Sequence, residues 1–481
     1  MKVHQRLNVV VAVALLSGAI MLGAQPVSRA LGRGALTPGT WAITGATVIT
    51  MRGDSVIRDA TLLVRDGRIA GVGRRAEVRV PRDARVIDGR GRYVIPGLAD
   101  MHAHLYADEW VPDSIAPYEL GVMVAHGVTT ARLMIGTPTH LALRASVQAG
   151  QTVGPQLWVA SPQLSGDSAV NTWLVRTPDA ARRAVRDART TGYDFIKLTT
   201  NITPDVFDAV VVTAGEERLK VTGHVDPRVG VARALAAHQQ IEHFDNYMES
   251  VLADSAPTRT SVSDVGAYRV ANWATLDHVD MKKVDAIAGA TARAGVAVTP
   301  TLAFFRLWFA TPATDDEVRA RPDYAHIPAT MRTGYERARA RYWQNPPSSA
   351  RRQRYIEVRN RLVRAVIDSG GTILAGSDGP GGLMGYGWGL HRELEMLVAA
   401  GLTPHQALHT ATRAPAAWLG AEAEWGSITT GKRADLVLLD ANPLEDIKNT
   451  SAIRGVAIGG RWIDADARVL MLENARRRLN P

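Results

Sequence analysis

Short apolar runs separated by helix-like segments set the rhythm of this chain. Eight runs stand out, at 94–105, 129–134, 156–161, 195–199, 219–224, 240–244, 296–302 and 372–377. Most have the length of a buried strand rather than of a helix. Their alternation with helical patterns is the mark of βα units around a parallel sheet. Eight such units predict an α/β fold, a (β/α)8 TIM-like barrel, in which chemistry sits at the carboxyl ends of the strands.

The flanks read differently. Between Trp41 and Pro96 the pattern is one of short alternating strands and turns, with Asp66-Gly67 as a strong hairpin signal. A similar pattern returns at Ala434-Asp435-Leu436-Val437 and at Val456-Ala457-Ile458. The two flanks are expected to pair into one small composite β-domain. The predicted organisation is a signal peptide at 1–30, one part of the β-domain at 31–96, the barrel at 97–420 and the other part at 421–481. Two stretches, 248–283 and 304–361, exceed a minimal barrel. They read as ordinary outer helices or as a lid and substrate wall.

Composition adds exclusions. Hydrophobic residues make up 46% and charged residues 21%, ordinary for a globular chain of 481 residues. The net charge of +9 is scattered, with no basic stripe interleaved with aromatics, so nucleic acid is not an expected partner. Lys2 and Arg6 precede an uncharged run, and Ser28-Arg29-Ala30 offers a small-x-small cut site. The expected location is therefore exported, periplasmic or secreted. Asn8, Ser17, Gly18 and Gly23 dilute the run, so no stable membrane insertion is expected after cleavage. There is no cysteine, which removes disulfides and leaves only nitrogen and oxygen as metal ligands.

Candidate chemistry lies at the strand ends. His102 and His104 are two residues apart, so in a strand both imidazoles point the same way. That is half of a first-row metal site. Lys197 stands among apolar residues, where a lone ammonium would be expensive. It reads either as an ion-paired lysine or as an amine able to add carbon dioxide. His224 and His243 each end an apolar run, and Asp378 closes the last run before a glycine-rich loop.

Two histidines on strand one, a lysine on four, histidines on five and six and an aspartate on eight resemble the amidohydrolase superfamily. The type is the binuclear one with a carboxylated lysine. Ala125-His126-Gly127-Val128-Thr129-Thr130, Leu390-His391-Arg392-Glu393-Leu394 and Asn442-Pro443-Leu444 extend the likeness, which is greatest to the imidazolonepropionase-like and prolidase-like branch. The resemblance implies two divalent metal ions, with zinc as the default. His102, His104 and Asp378 would hold one, His224 and His243 the other, with carboxylated Lys197 between them. It implies a hydrolase acting on a carbon–nitrogen bond, amide or cyclic amide, by attack of a metal-bridging hydroxide. Asp378 would be the catalytic proton shuttle, and the partner is a small-molecule substrate.

Alternatives remain on the same site. Lactone and phosphotriester hydrolases share the ligand set. Dipeptidases of the branch resemble one another in a Gly-Gly-His after strand three, where this chain has Ala160-Ser161-Pro162-Gln163-Leu164-Ser165-Gly166. One-metal deaminases carry a Glu three residues after the strand-five His, where this chain has Pro227. A non-catalytic scaffold would be expected to lack ligands. Tyr247 and Arg306 are candidate substrate contacts, and a homo-oligomer is left open.

Overall fold

The computed structural model describes residues 39–105, 113–168, 171–256 and 272–480. The expected signal peptide lies outside the described residues. The chain enters through β1 (Trp41–Ile49), β2 (Val56–Arg65), β3 (Arg68–Arg74), β4 (Arg85–Asp88) and β5 (Tyr93–Pro96). Asp66 and Gly67 join β2 to β3 with φ of 50° and 78°. Both residues of a tight type I′ hairpin need positive φ, which is why the Asp-Gly pair marks this turn.

The barrel follows as β6 (Leu98–Ala103), β7 (Val128–Leu133), β8 (Gln156–Ser165), the short β9 (Thr172–Leu174) beside it, β10 (Phe195–Leu198), β11 (Lys220–Gly223), β12 (Gln240–Glu242), β13 (Ala297–Thr299) and β14 (Thr372–Ile373). The order β6-β7-β8-β10-β11-β12-β13-β14 is parallel throughout. Backbone bonds from the segment after β14 to β6 bring the two ends together. Met101 N–H donates to Ala375 O at 2.9 Å, Asp378 N–H to His102 O at 2.7 Å and His104 N–H to Gly379 O at 2.9 Å.

The chain then returns as β15 (Leu436–Leu439), β16 (Ile453–Ile458) and β17 (Arg461–Ile463). β15 lies antiparallel to β5, with Leu439 opposite Tyr93 and Leu436 opposite Pro96. Strands from both flanks thus share one sheet. Alternation along β15 serves two cores. Leu436 and Leu438 join Trp41, Ile43 and Leu62 inside that sheet, while Val437 and Leu439 join the core of the barrel.

One expected strand is divided. The run 94–105 breaks at Gly97 into β5 and β6, which belong to different sheets. A side chain at Gly97 would meet Thr129 Oγ1 at 2.1 Å, and its N–H donates to Asp435 O at 2.8 Å. The corner is therefore built on backbone alone. The 304–361 stretch is mainly helical, with helices Leu302–Phe305, Asp315–Arg319, Ala329–Gln344 and Ser349–Asp368 and a π-turn Arg306–Ala310. Of the 248–283 stretch, residues 257–271 lie outside the described residues.

Candidate metal centre

The six candidate ligands stand at or just beyond the carboxyl ends of five barrel strands. His102 is inside β6 and His104 just past it, Lys197 is inside β10, and His224 and His243 directly follow β11 and β12. Asp378 follows β14 by five residues. His243 and Asp378 have φ of 62° and 58°, a left-handed backbone that non-glycine residues seldom adopt. Such strain persists where surroundings over-determine it. Here His243 N–H donates to Thr299 O at 2.8 Å, and Arg359 donates to His243 O at 3.0 Å.

Four imidazoles form a continuous cluster. Ring centroids are 5.2 Å apart for His102 and His104, 4.6 Å for His102 and His243, and 5.0 Å for the stacked rings of His224 and His243. Asp378 closes on them: Oδ1 lies 3.0 Å from His104 Nε2 and 3.4 Å from His102 Nε2, and Oδ2 lies 4.0 Å from His243 Nδ1. The ligand atoms of His102, His104 and Asp378 lie within 4.8 Å of one another, a spacing that suits one cation. Lys197 is buried, and its charge acts on His102 and Glu242.

Neighbouring oxygens fix the rings. His102 Nδ1 lies 2.6 Å from Glu242 Oε2, His224 Nδ1 2.8 Å from Asp245 Oδ2, and His243 Nδ1 2.7 Å from Thr301 Oγ1. An N–H on each Nδ1 puts the lone pair on Nε2, the state a metal ligand requires. Burial lowers the His102 pKa to about 4, against the pull of Glu242 and Asp378, so this imidazole is neutral at ordinary pH. A divalent cation therefore fits the donors present: imidazoles and a carboxylate, with no thiol.

Beneath the histidines lies a polar layer that the sequence reading did not single out. Arg132, on β7, is fully buried. It donates to Glu242 Oε1 at 2.6 Å, to Gln240 Oε1 at 2.8 Å and to Met101 O at 2.6 Å. Burial alone would raise the Glu242 pKa. Arg132, with His102, outweighs it and holds that carboxyl well below the usual range. Asp100 accepts from Ser377 N–H and Oγ–H at 2.9 and 2.6 Å and from His102 N–H at 3.2 Å, which ties β6 to the residue before Asp378. A signal was present. Arg132 and Glu242 are opposite charges inside two apolar strand runs, and buried charges need partners.

Neither candidate substrate contact belongs to this cluster. The Tyr247 hydroxyl bonds to Thr291 Oγ1 at 2.8 Å on the helix Met281–Arg293, and the side chain is fully buried. The short helix that starts at Tyr247 turns its ring onto the outer layer. Arg306 opens the π-turn and borders a crevice with Tyr355, Arg359 and Met396, among outer helices. Distance along the chain from a strand end does not fix the direction of a side chain.

A family model for the amidohydrolase family matches residues 93–463. The chain belongs to the amidohydrolase family. An adenine deaminase from Ruegeria pomeroyi is 25% identical over 413 residues, covering 83% of this chain and 54% of that protein. A dihydroorotase from Anaeromyxobacter dehalogenans is 53% identical over only 45 residues, 9% of this chain and 10% of that protein. The chain thus spans about half or less of the length of these curated relatives. Among solved structures, a bottromycin amidohydrolase superposes with a TM-score of 0.72 at 24% identity, covering 94% of each chain. A Xaa-Pro dipeptidase superposes at 0.63 with 20% identity, covering 89% of this chain and all of that one. At these identities the structural likeness speaks for the amidohydrolase fold.

Proposed function

We propose that this chain is a metal-dependent amidohydrolase that cleaves the carbon–nitrogen bond of a small amide or cyclic amide. The observation that carries this reading is the convergence of His102, His104 and Asp378, with His243 and His224 in ring contact beyond them. His102, His104 and Asp378 would hold one divalent ion and His224 and His243 a second. Lys197, as a carbamate formed from its amine and carbon dioxide with loss of a proton, would bridge them. Zinc is the proposed metal. Such ions supply a water whose pKa is lowered to roughly 7 and polarise the carbonyl to be attacked.

The chain's own residues do the rest. Glu242, Asp245 and Thr301 orient three imidazoles, and the β6–β14 hydrogen bonds set the position of Asp378. The Asp378 carboxylate would take the proton of the attacking water and deliver it to the departing amine. The expected location remains exported, with the N-terminal signal removed.

Hydrolysis of N-acyl amines, cyclic amides, dipeptides, lactones and phosphotriesters by the purified metal-loaded protein tests the assignment. Amide or cyclic amide turnover is expected. Turnover of lactones or phosphotriesters alone would assign the site to ester chemistry, and ammonia release from an aminopurine would assign it to deamination.

A further inference from the structure

Three cations line one open cavity of about 830 Å³, together with Glu422, Ser427 and Thr429. The cations are Arg52, Arg413 and Lys432, and they come from three parts of the chain. Arg52 lies between β1 and β2, Arg413 opens the short helix Arg413–Trp418 that follows the barrel, and Lys432 stands just before β15. A second cavity shares Arg413 and Glu422 and reaches Ala297 and Thr372, the first residues of β13 and β14. The cations therefore gather near the amino ends of these strands. His243 and Asp378 stand beyond carboxyl ends, on the other side of the barrel.

Little in the cavity offsets these charges. Lys432 Nζ donates to Glu422 O, to Trp425 O and, at 2.7 Å, to Ser427 Oγ. All three acceptors are uncharged, so the bonds fix the ammonium without neutralising it. Glu422 is the one carboxylate among the lining residues. It accepts from Arg413 Nε at 2.7 Å, which leaves both Nη groups of that guanidinium outside the pair. Arg52 is exposed, and no carboxylate among the described residues pairs with it. The charges are close enough to act on one another. Burial lowers the Lys432 pKa; Glu422 pulls it up, while Arg413 and Arg52 push it down. Ser427 Oγ and Thr429 Oγ1, 3.3 Å apart, add hydroxyls to the same wall. Three positive charges against one negative make a place where an anion is favoured.

We infer that this cavity binds a small molecule carrying several phosphate or carboxylate groups, at a site separate from the metal centre. Guanidinium and ammonium donors beside hydroxyls are the groups that recognise oxyanions through charge-assisted hydrogen bonds. The volume lies in the range of ligand cavities and far exceeds a single inorganic phosphate. It has room for a body that carries one anionic group to Arg52 and another to Arg413 and Lys432. Bound there, the ligand ties the β1–β2 turn, the helix after the barrel and the entry to β15 to one another. The site is independent of the hydrolase reading and takes no part in the reaction.

Calorimetry on the full metal-loaded chain tests this with fructose 1,6-bisphosphate, tricarballylate and, as the uncharged body, fructose. A Kd of about 1 mM or tighter is expected for at least one of the two anions, as for three charge-assisted contacts set against the cost of association. Fructose is expected not to bind. The anion that binds more tightly tells phosphate from carboxylate. Arg52→Gln changes an exposed side chain and is expected to weaken binding about three- to tenfold. Glu422→Gln removes the opposing charge, keeps the carbonyl that holds Lys432, and is expected to tighten binding about threefold. An anion seated on the metal ions would respond to neither variant. Binding of both anions weaker than about 1 mM, or fructose binding as tightly as they do, would overturn the site. So would an affinity that Arg52→Gln leaves unchanged or that Glu422→Gln does not raise.

Discussion

Arg132→Met is the perturbation that separates the support of the centre from the centre itself. Its guanidinium gives three bonds of 2.8 Å or less, to Glu242, Gln240 and Met101 O, plus longer ones to Thr299 and Thr222. Methionine keeps the length and loses the charge. Glu242 has no exposed surface, so its carboxylate is left buried with His102 and Thr222 as partners. Removing one member of a buried pair costs about 3–5 kcal/mol, mostly for the stranded charge. Arg132→Met should lose that much in urea unfolding of the metal-free protein. Adding Glu242→Gln removes the stranded charge and should return about 2 kcal/mol or more. The double variant should nevertheless bind metal about 10–100-fold more weakly, because His102 has lost its anionic acceptor. Competition with a chromophoric chelator reads that affinity. A loss below about 1 kcal/mol in the single variant, or a double variant no more stable than it, would refute the argument.

Two further outcomes follow from the same geometry. Asp378→Asn keeps the shape of the side chain and removes its capacity to carry a proton, so kcat on an accepted amide should fall about 10²–10⁴-fold with the fold intact; wild-type-like turnover would dismiss the shuttle. Glu393, on the helix Trp388–Ala399, is fully buried, accepts from Ala303 N–H at 2.7 Å and has its pKa pushed up to about 8 by burial. The folded chain holds this proton where the unfolded chain has released it. Stability should therefore fall with rising pH between about 4.5 and 8, by at most about 1.4 kcal/mol per pH unit from this group. Glu393→Gln should flatten that slope in unfolding curves taken across the window, and an unchanged slope would remove Glu393 as its cause.

The fold was legible because its signals are periodic and local. Eight apolar runs match eight barrel strands, and the Asp66-Gly67 turn announced its own hairpin. Bounds failed where a run crosses a corner, as at Gly97, since periodicity does not say which sheet a strand joins. The ligand candidates were legible by residue type at strand ends, and the structure gathers four imidazoles and Asp378 there. The network that holds them is not legible, because Asp100, Arg132 and Glu242 lie on three separate strands and periodicity does not say which inward side chains meet. Tyr247 shows the opposite failure, a residue near the site in sequence whose hydroxyl bonds to an outer helix.

The number of metal ions bound per chain tests the central claim most directly. Elemental mass spectrometry on the purified protein, loaded with zinc and freed of excess, should give two ions in the wild type, with His224→Ala losing one. One ion in the wild type would contradict the paired centre, and none would remove the metal chemistry altogether.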